Sequence, residues 1–536
     1  MNLDREMCSR ARLARDARFD GQFYIAVLST RIYCRPICPS RTSREENVRY
    51  FPTAAAAAEA GFRPCLRCRP ECSPGTPASF GTSNTVSRAL RLIGETGLEE
   101  GGVELLAERL GIGPRHLRRL FLRYLGATPS AVAQTRRLQF AKKLIDETAL
   151  PMTEIAFASG FGCVRRFNAA IRRTYRRTPT QIRRLARQPA VQAGGNQLSA
   201  IKSANQYLFR LHFRPPLAWS SMLAFLAHRA TPGVEVVEGG TYRRSISLNG
   251  TNGYVEVCRD DANHSLLVRL DFADPRSLFL IIERIRAMFD LNADWATIVQ
   301  TLRADLALAP HLDCDPGLRV PGCWNAFELA TLAILSQRTR RQRAASMASR
   351  IATTLGKPLA GGPGITHVFP TPEVLADADL RSIAVPAGQA QAIRSLSRAV
   401  CDGKIRFQLN ADTDSLLASL GELPGIDGGT AQYIAMRTLR EPDSFPSADL
   451  GLIRSLNLKN SRQLAKRAEA WRPWRAYAAM YLWNSHPPQA TGAGVSESLP
   501  SPIRDVRIAS DEAGQRTLGT AAGRTVAGAP MRQSKA

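Results

Sequence analysis

Four cysteines near the start of the chain have the types and spacing of a metal cage. Cys34 and Cys38 form a CxxxC pair, and Cys65 and Cys68 form a CxxC pair. Two separated pairs of soft sulfur ligands favour tetrahedral zinc and close a loop that so short a segment could not otherwise hold together. The pattern predicts one Zn²⁺ that is structural and also keeps the thiolates deprotonated. Cys72 breaks the CxxC register and is predicted to be a bystander.

Disulfides or separate core thiols are the alternative interpretation of these cysteines. No secretory signal opens the chain, and the other cysteines show no paired framework, so zinc is favoured. Arginines flank both pairs, among them Arg35 and Arg67. A cage of net negative charge in basic surroundings indicates a partner that carries phosphate.

Length and charge restrict the class of protein. At 536 residues the chain is too long for one core, and three or four domains are expected. The net charge of +26 indicates a polyanionic partner, and nucleic acid is the first expectation. An anionic membrane is the competing partner, but the sequence has no apolar run long enough to span a bilayer and no lipidation signal. We therefore expect DNA and no membrane.

Changes in composition and periodicity divide the chain into regions. Residues 73–82 and 188–204 contain the Pro, Gly, Ser and Asn typical of linkers. Helical patterns fill the segment between them, and strand-like alternation then appears at 242–248 and 253–257. Helices dominate again from residue 278, and the tail after residue 486 has no aromatic side chain and is predicted to be disordered. The predicted divisions are 1–72, 83–187, 188–204, 205–283, 284–486 and 487–536.

Two helix–turn–helix patterns lie in the first helical segment. In the first, a short helix stops at Gly111 and a second begins with Pro114, and the pattern recurs about fifty residues later around Gly160. The outward side chains of each second helix are predicted to enter adjacent major grooves of DNA. These side chains are Arg115, His116, Arg118 and Arg119 in the first unit and Arg165, Arg166 and Asn168 in the second.

An unbalanced run of positive charge accompanies the second unit. Nine arginines and no acidic residue fall between residues 155 and 187. A solvated charged face is the usual explanation of such a run, but its position on helices beside a repeated turn favours contact with DNA.

Residues 19–72 resemble the amino-terminal domain of the Ada adaptive-response protein. The matching stretches are 33–38, 44–48 and 61–65. The resemblance implies that a zinc-bound cysteine accepts a methyl group from a methylphosphotriester in DNA, and by motif position the acceptor is Cys34. Methylation removes one negative charge from the cage, so it would act as an electrostatic switch that raises affinity for DNA.

Residues 83–187 resemble the AraC-type transcription-factor domain, especially at 158–162 and 167–168. The resemblance implies a sequence-specific activator of repair genes, with RNA polymerase as a further partner. Cys163 stands where a capping serine or threonine is common, which predicts a weaker cap for the second recognition helix.

Residues 205–485 resemble the alkylation-repair DNA glycosylases of the AlkA type, which belong to the helix–hairpin–helix superfamily. The resemblance runs through 214–219, 316–323, 369–372 and 471–478, with the hairpin motif at 423–431. It implies 3-methyladenine DNA glycosylase II activity on double-stranded DNA. Glycines of the hairpin, Gly425 and Gly428, would let backbone N–H groups approach one phosphate.

The catalytic carboxylate of that family falls on Asp449. An aspartate directly before an apolar helix is ordinarily an N-cap, but its distance behind the hairpin motif and its flanking residues favour catalysis. It would stabilise the positive charge that develops on the sugar and orient or deprotonate water. No lysine lies between residues 423 and 449, so a Schiff-base route is unsupported and a monofunctional enzyme is predicted.

A base that is flipped out of the duplex is recognised by stacking against aromatic side chains, and a cationic base is also attracted to their electron-rich faces. The family's pocket positions fall on Phe225, Tyr433 and Trp483, each of which could instead belong to the core. Residues 336–339 replace the family's wedge motif, and Gln337 and Arg338 are predicted to contact DNA.

Departures from the family pattern leave it open whether the glycosylase activity is retained. Asp427 puts a negative side chain near the expected phosphate, and Gly429 removes a bulky aromatic residue. One alternative is therefore a transcriptional regulator with a degenerate, non-catalytic glycosylase-like domain. Another is a nucleoid-binding scaffold in which zinc is purely structural. The signature of a guanine methyltransferase domain is absent.

The expected fold is multidomain α+β, in a cytoplasmic protein associated with the bacterial nucleoid. It comprises a small zinc-binding α/β domain, an all-α double helix–turn–helix domain, an α+β glycosylase subdomain, an all-α helix–hairpin–helix domain and a disordered C-terminal tail.

Overall fold

Three successive regions build the part of the fold that the structure describes. The computed structural model describes residues 3–75, 84–96, 102–186, 205–337, 339–360, 362–407 and 413–485. We call 3–75 the cysteine region, 84–186 the helix–turn–helix region and 205–485 the sheet-and-hairpin region. The predicted linker 188–204, Arg338 and the predicted tail 487–536 lie outside the described residues.

The cysteine region folds around a four-stranded sheet. Its elements are α1 (Arg5–Ala14), β1 (Tyr24–Val27), β2 (Ile32–Cys34), β3 (Val48–Phe51), α2 (Ala54–Glu59) and β4 (Arg63–Pro64). The strand order is β3-β1-β2-β4, and β4 runs parallel to β2. Asp4 caps α1 by accepting from the N–H groups of Glu6 and Met7, and Thr53 caps α2. The parallel pairing brings Cys34, the last residue of β2, and the segments that follow β2 and β4, which contain the other three cysteines, to one end of the sheet.

The helix–turn–helix region contains both predicted units. Its helices are α3 (Asn84–Thr96), α4 (Gly102–Arg109), α5 (Pro114–Leu125), α6 (Pro129–Glu147), α7 (Met152–Ala158), α8 (Val164–Tyr175) and α9 (Pro179–Ala186). The turns of the two units pass through Gly111 and Gly160, both with positive φ. One face of α5 buries Leu117 and Phe121, and the same face of α8 buries Phe167 and Ile171. The opposite faces are left to solvent.

The sheet-and-hairpin region opens with a five-stranded antiparallel sheet in the order β5-β9-β8-β7-β6. The elements are β5 (Gln206–His212), α10 (Trp219–Ala227), β6 (Glu235–Glu238), β7 (Thr241–Leu248), β8 (Thr251–Asp260), β9 (Ser265–Asp271) and α11 (Leu278–Met288). The predicted strands 242–248 and 253–257 lie within β7 and β8, which a tight Asn249–Gly250 turn joins with positive φ at both positions. Helix α11 runs across the predicted boundary between residues 283 and 284.

The rest of this region is helical apart from one short two-stranded ladder. Its elements are α12 (Trp295–Leu302), α13 (Ala309–Cys314), α14 (Ala326–Ser336), α15 (Arg341–Leu355), β10 (Lys357–Pro358), β11 (His367–Val368), α16 (Pro372–Asp377), α17 (Ala387–Cys401), α18 (Thr413–Gly421), α19 (Gly428–Leu439), α20 (Leu450–Ser455), α21 (Ser461–Ala468) and α22 (Arg475–Ser485). Helices α18 and α19 form the hairpin. In the described part of the chain, no helix has the length and apolar character needed to cross a membrane.

Two of the regions share a hydrophobic core. The largest cluster of buried side chains combines residues of α6 to α9 with the five-stranded sheet and with α20 to α22. Phe140 of α6 packs edge-on against Phe279 of α11, with ring centroids 5.0 Å apart. A second core fills the space between α14, α15, α17 and α19. The second helix–turn–helix unit is therefore packed against the sheet.

A buried cluster of charges joins all three regions. Arg69 of the cysteine region pairs with Asp146 at 3.1 Å and with Glu147 at 3.0 Å, both on α6. Lys142 of α6 reaches back to Glu71 at 3.2 Å. Lys143 of α6 pairs with Glu147 at 2.8 Å and donates to the Arg210 carbonyl of β5 at 2.7 Å. Positive and negative side chains balance, which buried charges require.

Removal of one charge from this cluster should destabilise the protein. In Glu147→Gln, Arg69 and Lys143 lose a buried carboxylate, and we expect a loss of about 3–5 kcal/mol in the free energy of unfolding. Urea unfolding followed by tryptophan fluorescence measures it. Glu108→Gln, at an exposed position on α4, is the matched control. Equal urea midpoints for the two variants would show that the cluster does not hold the regions together.

Candidate metal centre and base pocket

The four predicted ligands meet at one point. The sulfur atoms of Cys34, Cys38, Cys65 and Cys68 all lie within 4.8 Å of one another. Sulfur atoms of a tetrahedral zinc site with bonds of about 2.3 Å are about 3.8 Å apart, so the donor set and its spacing fit Zn²⁺. Cys72 is buried and is not part of this group, as predicted.

Backbone hydrogen bonds fix the cage. The Cys65 N–H donates to the Tyr33 carbonyl at 3.0 Å, which ties the second pair to β2, the strand that ends at Cys34. Hydrogen bonds with the neighbouring thiols, chiefly Cys34, lower the pKa of Cys38 below its ordinary value. Cys65 and Cys68 are buried, whereas Cys34 and Cys38 are half-buried. The first pair is thus the more accessible to a reactant.

Arg35, directly after Cys34, anchors the cage to its surroundings. Its N–H donates to the Cys68 sulfur at 3.3 Å, and its guanidinium donates to the Cys68 carbonyl at 3.1 Å. The guanidinium also forms a bidentate ion pair with Asp20, in which both side chains are 5% exposed. Arg214 donates to the backbone carbonyl of Asp20 at 2.8 Å. A hydrogen-bonded path thus leads from the cage to the sheet-and-hairpin region.

The predicted recognition residues all face solvent. Arg115, His116, Arg118 and Arg119 on α5 and Arg165, Arg166 and Asn168 on α8 are exposed. Cys163 makes no side-chain hydrogen bond at the start of α8, in agreement with the weaker cap expected there. Contact of these residues with DNA stays a prediction.

Asp449 is an N-cap and also lines a cavity. Its carboxylate accepts from the Leu452 N–H at 2.8 Å and from the Trp483 indole N–H at 3.3 Å. A Cβ on Gly451 would lie 3.0 Å from the same carboxylate oxygen, so the glycine leaves this carboxylate room. Leu450, which sequence reasoning missed, is 64% exposed and also lines the cavity. The capping and catalytic interpretations of Asp449 are therefore compatible.

The cavity has a volume of about 470 Å³, and two of the three predicted aromatic residues line it. Trp483 lies beside Tyr433, with ring centroids 6.0 Å apart, and beside Phe225, with centroids 6.4 Å apart. Tyr433 and Trp483 are at the cavity surface, whereas Phe225 is 9% exposed and is not among the lining residues. A planar base entering the cavity would meet Tyr433 and Trp483.

Arginines that sequence reasoning missed line this cavity as well, among them Arg229 and Arg437. The guanidinium of Arg229 lies over the Phe225 ring, 3.7 Å from its centroid, and that of Arg437 lies 5.6 Å from the Tyr433 centroid. Arg229 follows Phe225 by four residues near the end of α10, and Arg437 follows Tyr433 by four residues on α19. This spacing places each arginine on the same helix face as its aromatic partner. That spacing was the available signal in the sequence.

The hairpin presents its glycines near the cavity. Gly425 has a φ of +84°, and a Cβ there would come within 3.0 Å of a neighbouring side chain, so glycine is required. Asp427 caps α19 by accepting from the Thr430 N–H at 2.8 Å, and Gly428 is the first helical residue. The Gln337 amide, in the orientation that satisfies its neighbours, donates to the Gly425 carbonyl at 2.8 Å. Gln337 therefore positions the hairpin.

Three family models match separate parts of the chain. The model described as metal binding domain of Ada matches residues 7–71, the helix-turn-helix domain matches 106–185, and the AlkA N-terminal domain matches 208–325. Together with the four-sulfur cluster, the first match confirms the prediction of one zinc ion.

Individual relatives extend these matches. A Mycobacterium tuberculosis protein, described as a probable bifunctional transcriptional activator/DNA repair enzyme AlkA, is 40% identical over 502 residues, covering 91% of this chain and 99% of the relative. Escherichia coli DNA-3-methyladenine glycosylase 2 is 33% identical over 52% of this chain and 96% of its own length. The Escherichia coli bifunctional transcriptional activator/DNA repair enzyme Ada is 41% identical over 23% of this chain and 34% of its own length. The predicted three-part resemblance is confirmed.

Removal of the Asp20 carboxylate should weaken the cage. In Asp20→Asn the buried guanidinium of Arg35 loses its counter-charge, which we expect to cost about 3–5 kcal/mol of stability and to release zinc at lower concentrations of a chromogenic chelator. Asp16→Asn is the control, because Asp16 pairs with a largely exposed arginine and should matter by less than about 1 kcal/mol. Zinc retention equal to that of the wild type would contradict the anchoring role of Arg35.

Proposed function

The chain belongs to the family of bifunctional transcriptional activator/DNA repair enzymes of the AlkA type, and we propose that it repairs alkylated DNA in two ways and regulates repair genes. It would accept methyl groups from DNA methylphosphotriesters on Cys34 and excise alkylated purines with Asp449. The observation that carries the proposal is the presence, in one chain, of a half-buried thiol cage and of a carboxylate in an aromatic-lined cavity.

Cys34 is the proposed methyl acceptor. Bound zinc would supply the positive charge that keeps the sulfur deprotonated at neutral pH. The Cys34 sulfur then forms a bond to the methyl carbon, the bond from that carbon to the phosphotriester oxygen breaks, and its electron pair remains on the phosphate as the negative charge of a diester. Partial exposure admits the backbone ester, and Arg35 holds the loop that carries the sulfur.

Mass spectrometry tests the acceptor directly. After incubation with DNA that contains methylphosphotriesters, the peptide with Cys34 should carry one added methyl group and that with Cys38 none. Cys34→Ser should abolish uptake, whereas Cys163→Ser, which changes an exposed thiol outside the cage, should leave it intact. A methyl group on any other cysteine would refute the assignment.

Asp449 is the proposed catalytic carboxylate. Excision breaks the bond between C1′ of the sugar and the base nitrogen, with both electrons leaving on the base, and positive charge develops on the sugar. The Asp449 carboxylate, oriented by the Leu452 N–H and the Trp483 indole, would stabilise that charge and accept a proton from the water that bonds to C1′. A cationic alkylated purine departs as a neutral molecule, so one carboxylate suffices.

Asp449→Asn separates catalysis from capping. Asparagine caps a helix as well as aspartate does, so the variant should keep its stability and its affinity for DNA while single-turnover release of 3-methyladenine falls roughly a hundredfold or more. Asp4→Asn, at the N-cap of α1, is the matched control and should release base at the wild-type rate. If wild type releases no base, the chain is a regulator whose sheet-and-hairpin region only binds DNA.

The helix–turn–helix region would direct the protein to operators of repair genes. The exposed faces of α5 and α8 would contact double-stranded DNA. RNA polymerase would be a further partner, as expected of a transcriptional activator. We propose that Gly425, Gly428 and Gln337 help to bind the damaged strand near the cavity. The domain division predicted from the sequence and a location at the chromosome are part of the same proposal.

A further inference from the structure

The segment that carries Asp449 has no regular structure of its own. Residues 440–449, which we call the connecting segment, join α19 to α20 without a helix or a strand. Such a segment keeps one conformation only where other parts of the fold hold it, because it has no backbone hydrogen-bond ladder. A carboxylate that has to meet C1′ of a bound sugar depends on this support, since a misplacement of about 1 Å can slow a reaction roughly a hundredfold.

Two helices of the sheet-and-hairpin region hold the middle and the end of the connecting segment. At the start of α22, the Arg475 guanidinium donates to the Asp443 carboxylate at 2.8 Å. On α19, the Gln432 side-chain oxygen accepts from the Ala448 N–H at 3.3 Å. The second contact lies directly before Asp449, so the end of the segment is fixed close to the carboxylate.

The start of the connecting segment is held from the helix–turn–helix region. Arg91 of α3 forms an ion pair with Glu441 and donates to the Arg440 carbonyl at 3.4 Å. The side chains of Arg91 and Glu441 are 15% and 21% exposed, so the pair is partly shielded from water, which strengthens it relative to an exposed pair. Arg440 is the residue at which the backbone leaves α19, with a φ of +55°. Arg91 therefore holds the point where the chain turns toward Asp449.

Helix α3 is itself fixed in the fold. Its buried residues Val86 and Leu90 belong to the core of the first helix–turn–helix unit. Arg136 of α6 donates to the Leu90 carbonyl at 2.9 Å. A Cβ on Gly94 of α3 would lie 3.1 Å from a carboxylate oxygen of Glu283 on α11, so these two helices are closely packed. The side chain of Arg91 thus extends from a firmly held helix.

We propose that Arg91 is a positioning residue for base excision, which acts through its ion pair with Glu441 to hold the connecting segment and hence Asp449. The proposal rests on the proposed glycosylase activity of Asp449. It makes excision a property of the whole chain, because the helix that supplies Arg91 lies in the helix–turn–helix region.

Direct contact of Arg91 with the DNA backbone is the alternative explanation of an effect on excision, and the sign of the charge separates the two. If the charges of the pair acted on DNA, removal of the Glu441 carboxylate would strengthen binding. If the pair positions Asp449, removal of either partner slows the chemical step.

Single-turnover excision by the full-length protein tests the proposal, with protein in excess over a duplex that carries one 7-methyldeoxyguanosine. Arg91→Gln and Glu441→Gln should each slow release of 7-methylguanine roughly tenfold at saturating protein, while affinity for the duplex stays close to that of the wild type. The double variant should be no slower than either single variant, because one substitution already removes the interaction. Arg91→Lys keeps the charge and should release base faster than Arg91→Gln.

Arg243→Gln is the matched control. Arg243 pairs with Glu256 at 2.7 Å within the five-stranded sheet, and the two side chains are 17% and 20% exposed, so an ion pair of similar burial is lost away from the connecting segment. This variant should release 7-methylguanine at the wild-type rate. Bound zinc and the urea midpoint show for each variant that the protein is folded under the assay conditions.

The outcomes separate this proposal from the proposed function. Similar slowing by Arg91→Gln and Glu441→Gln, without a further loss in the double variant, supports the positioning role. A wild-type rate in either single variant, additive losses in the double variant, or equal slowing by Arg243→Gln would overturn it. Arg91→Lys that is no faster than Arg91→Gln, or opposite effects of the two single variants on duplex affinity that account for the rates, would overturn it as well. Wild type that releases no base overturns the proposed excision itself.

Discussion

Buried charge has to be paired, and in this protein the pairing joins regions that are distant in sequence. Arg69 forms ion pairs with Asp146 and Glu147 of α6. Arg35 forms an ion pair with Asp20 within the cysteine region. Arg214, which is 1% exposed, donates to backbone carbonyls that include those of Asp20 and Asn292. Because an unpaired buried charge is costly, each partner restricts the position of the other. The metal cage, the helix–turn–helix units and the sheet are thereby held in one arrangement.

The same constraint operates in the cavity with a different outcome. Among the described residues, Arg229 and Arg437 donate to backbone carbonyls and to a phenol, and neither forms an ion pair with a carboxylate. One carboxylate oxygen of Asp449 accepts hydrogen bonds from the Leu452 N–H, which caps α20, and from the Trp483 indole N–H. A single aspartate can thus cap a helix and still line the cavity, so the capping and catalytic interpretations are compatible.

Local patterns were readable from the sequence, and long-range pairings were not. The cysteine spacing and the turn glycines of the helix–turn–helix units predicted features that depend on a few neighbouring residues. Strand β5 was missed, and its pairing with the distant β9, in which Tyr207 lies opposite Leu270, is not a local pattern. The chemistry of Asp449 came from resemblance. Arg229 lies beside Phe225 through a local four-residue spacing, whereas the approach of Arg437 to Phe225 depends on how α10 and α19 pack.

We propose that this one chain carries out two separate chemistries on alkylated DNA. Incubation of the full-length protein with DNA that bears isotopically labelled methyl groups, with the label followed on protein and in free base together, tests it most directly. We expect label in both fractions. Cys34→Ser should remove only the protein-bound label, and Asp449→Asn should remove only the label in the released base. Label confined to one fraction in the wild type, or lost from both in either variant, would contradict it.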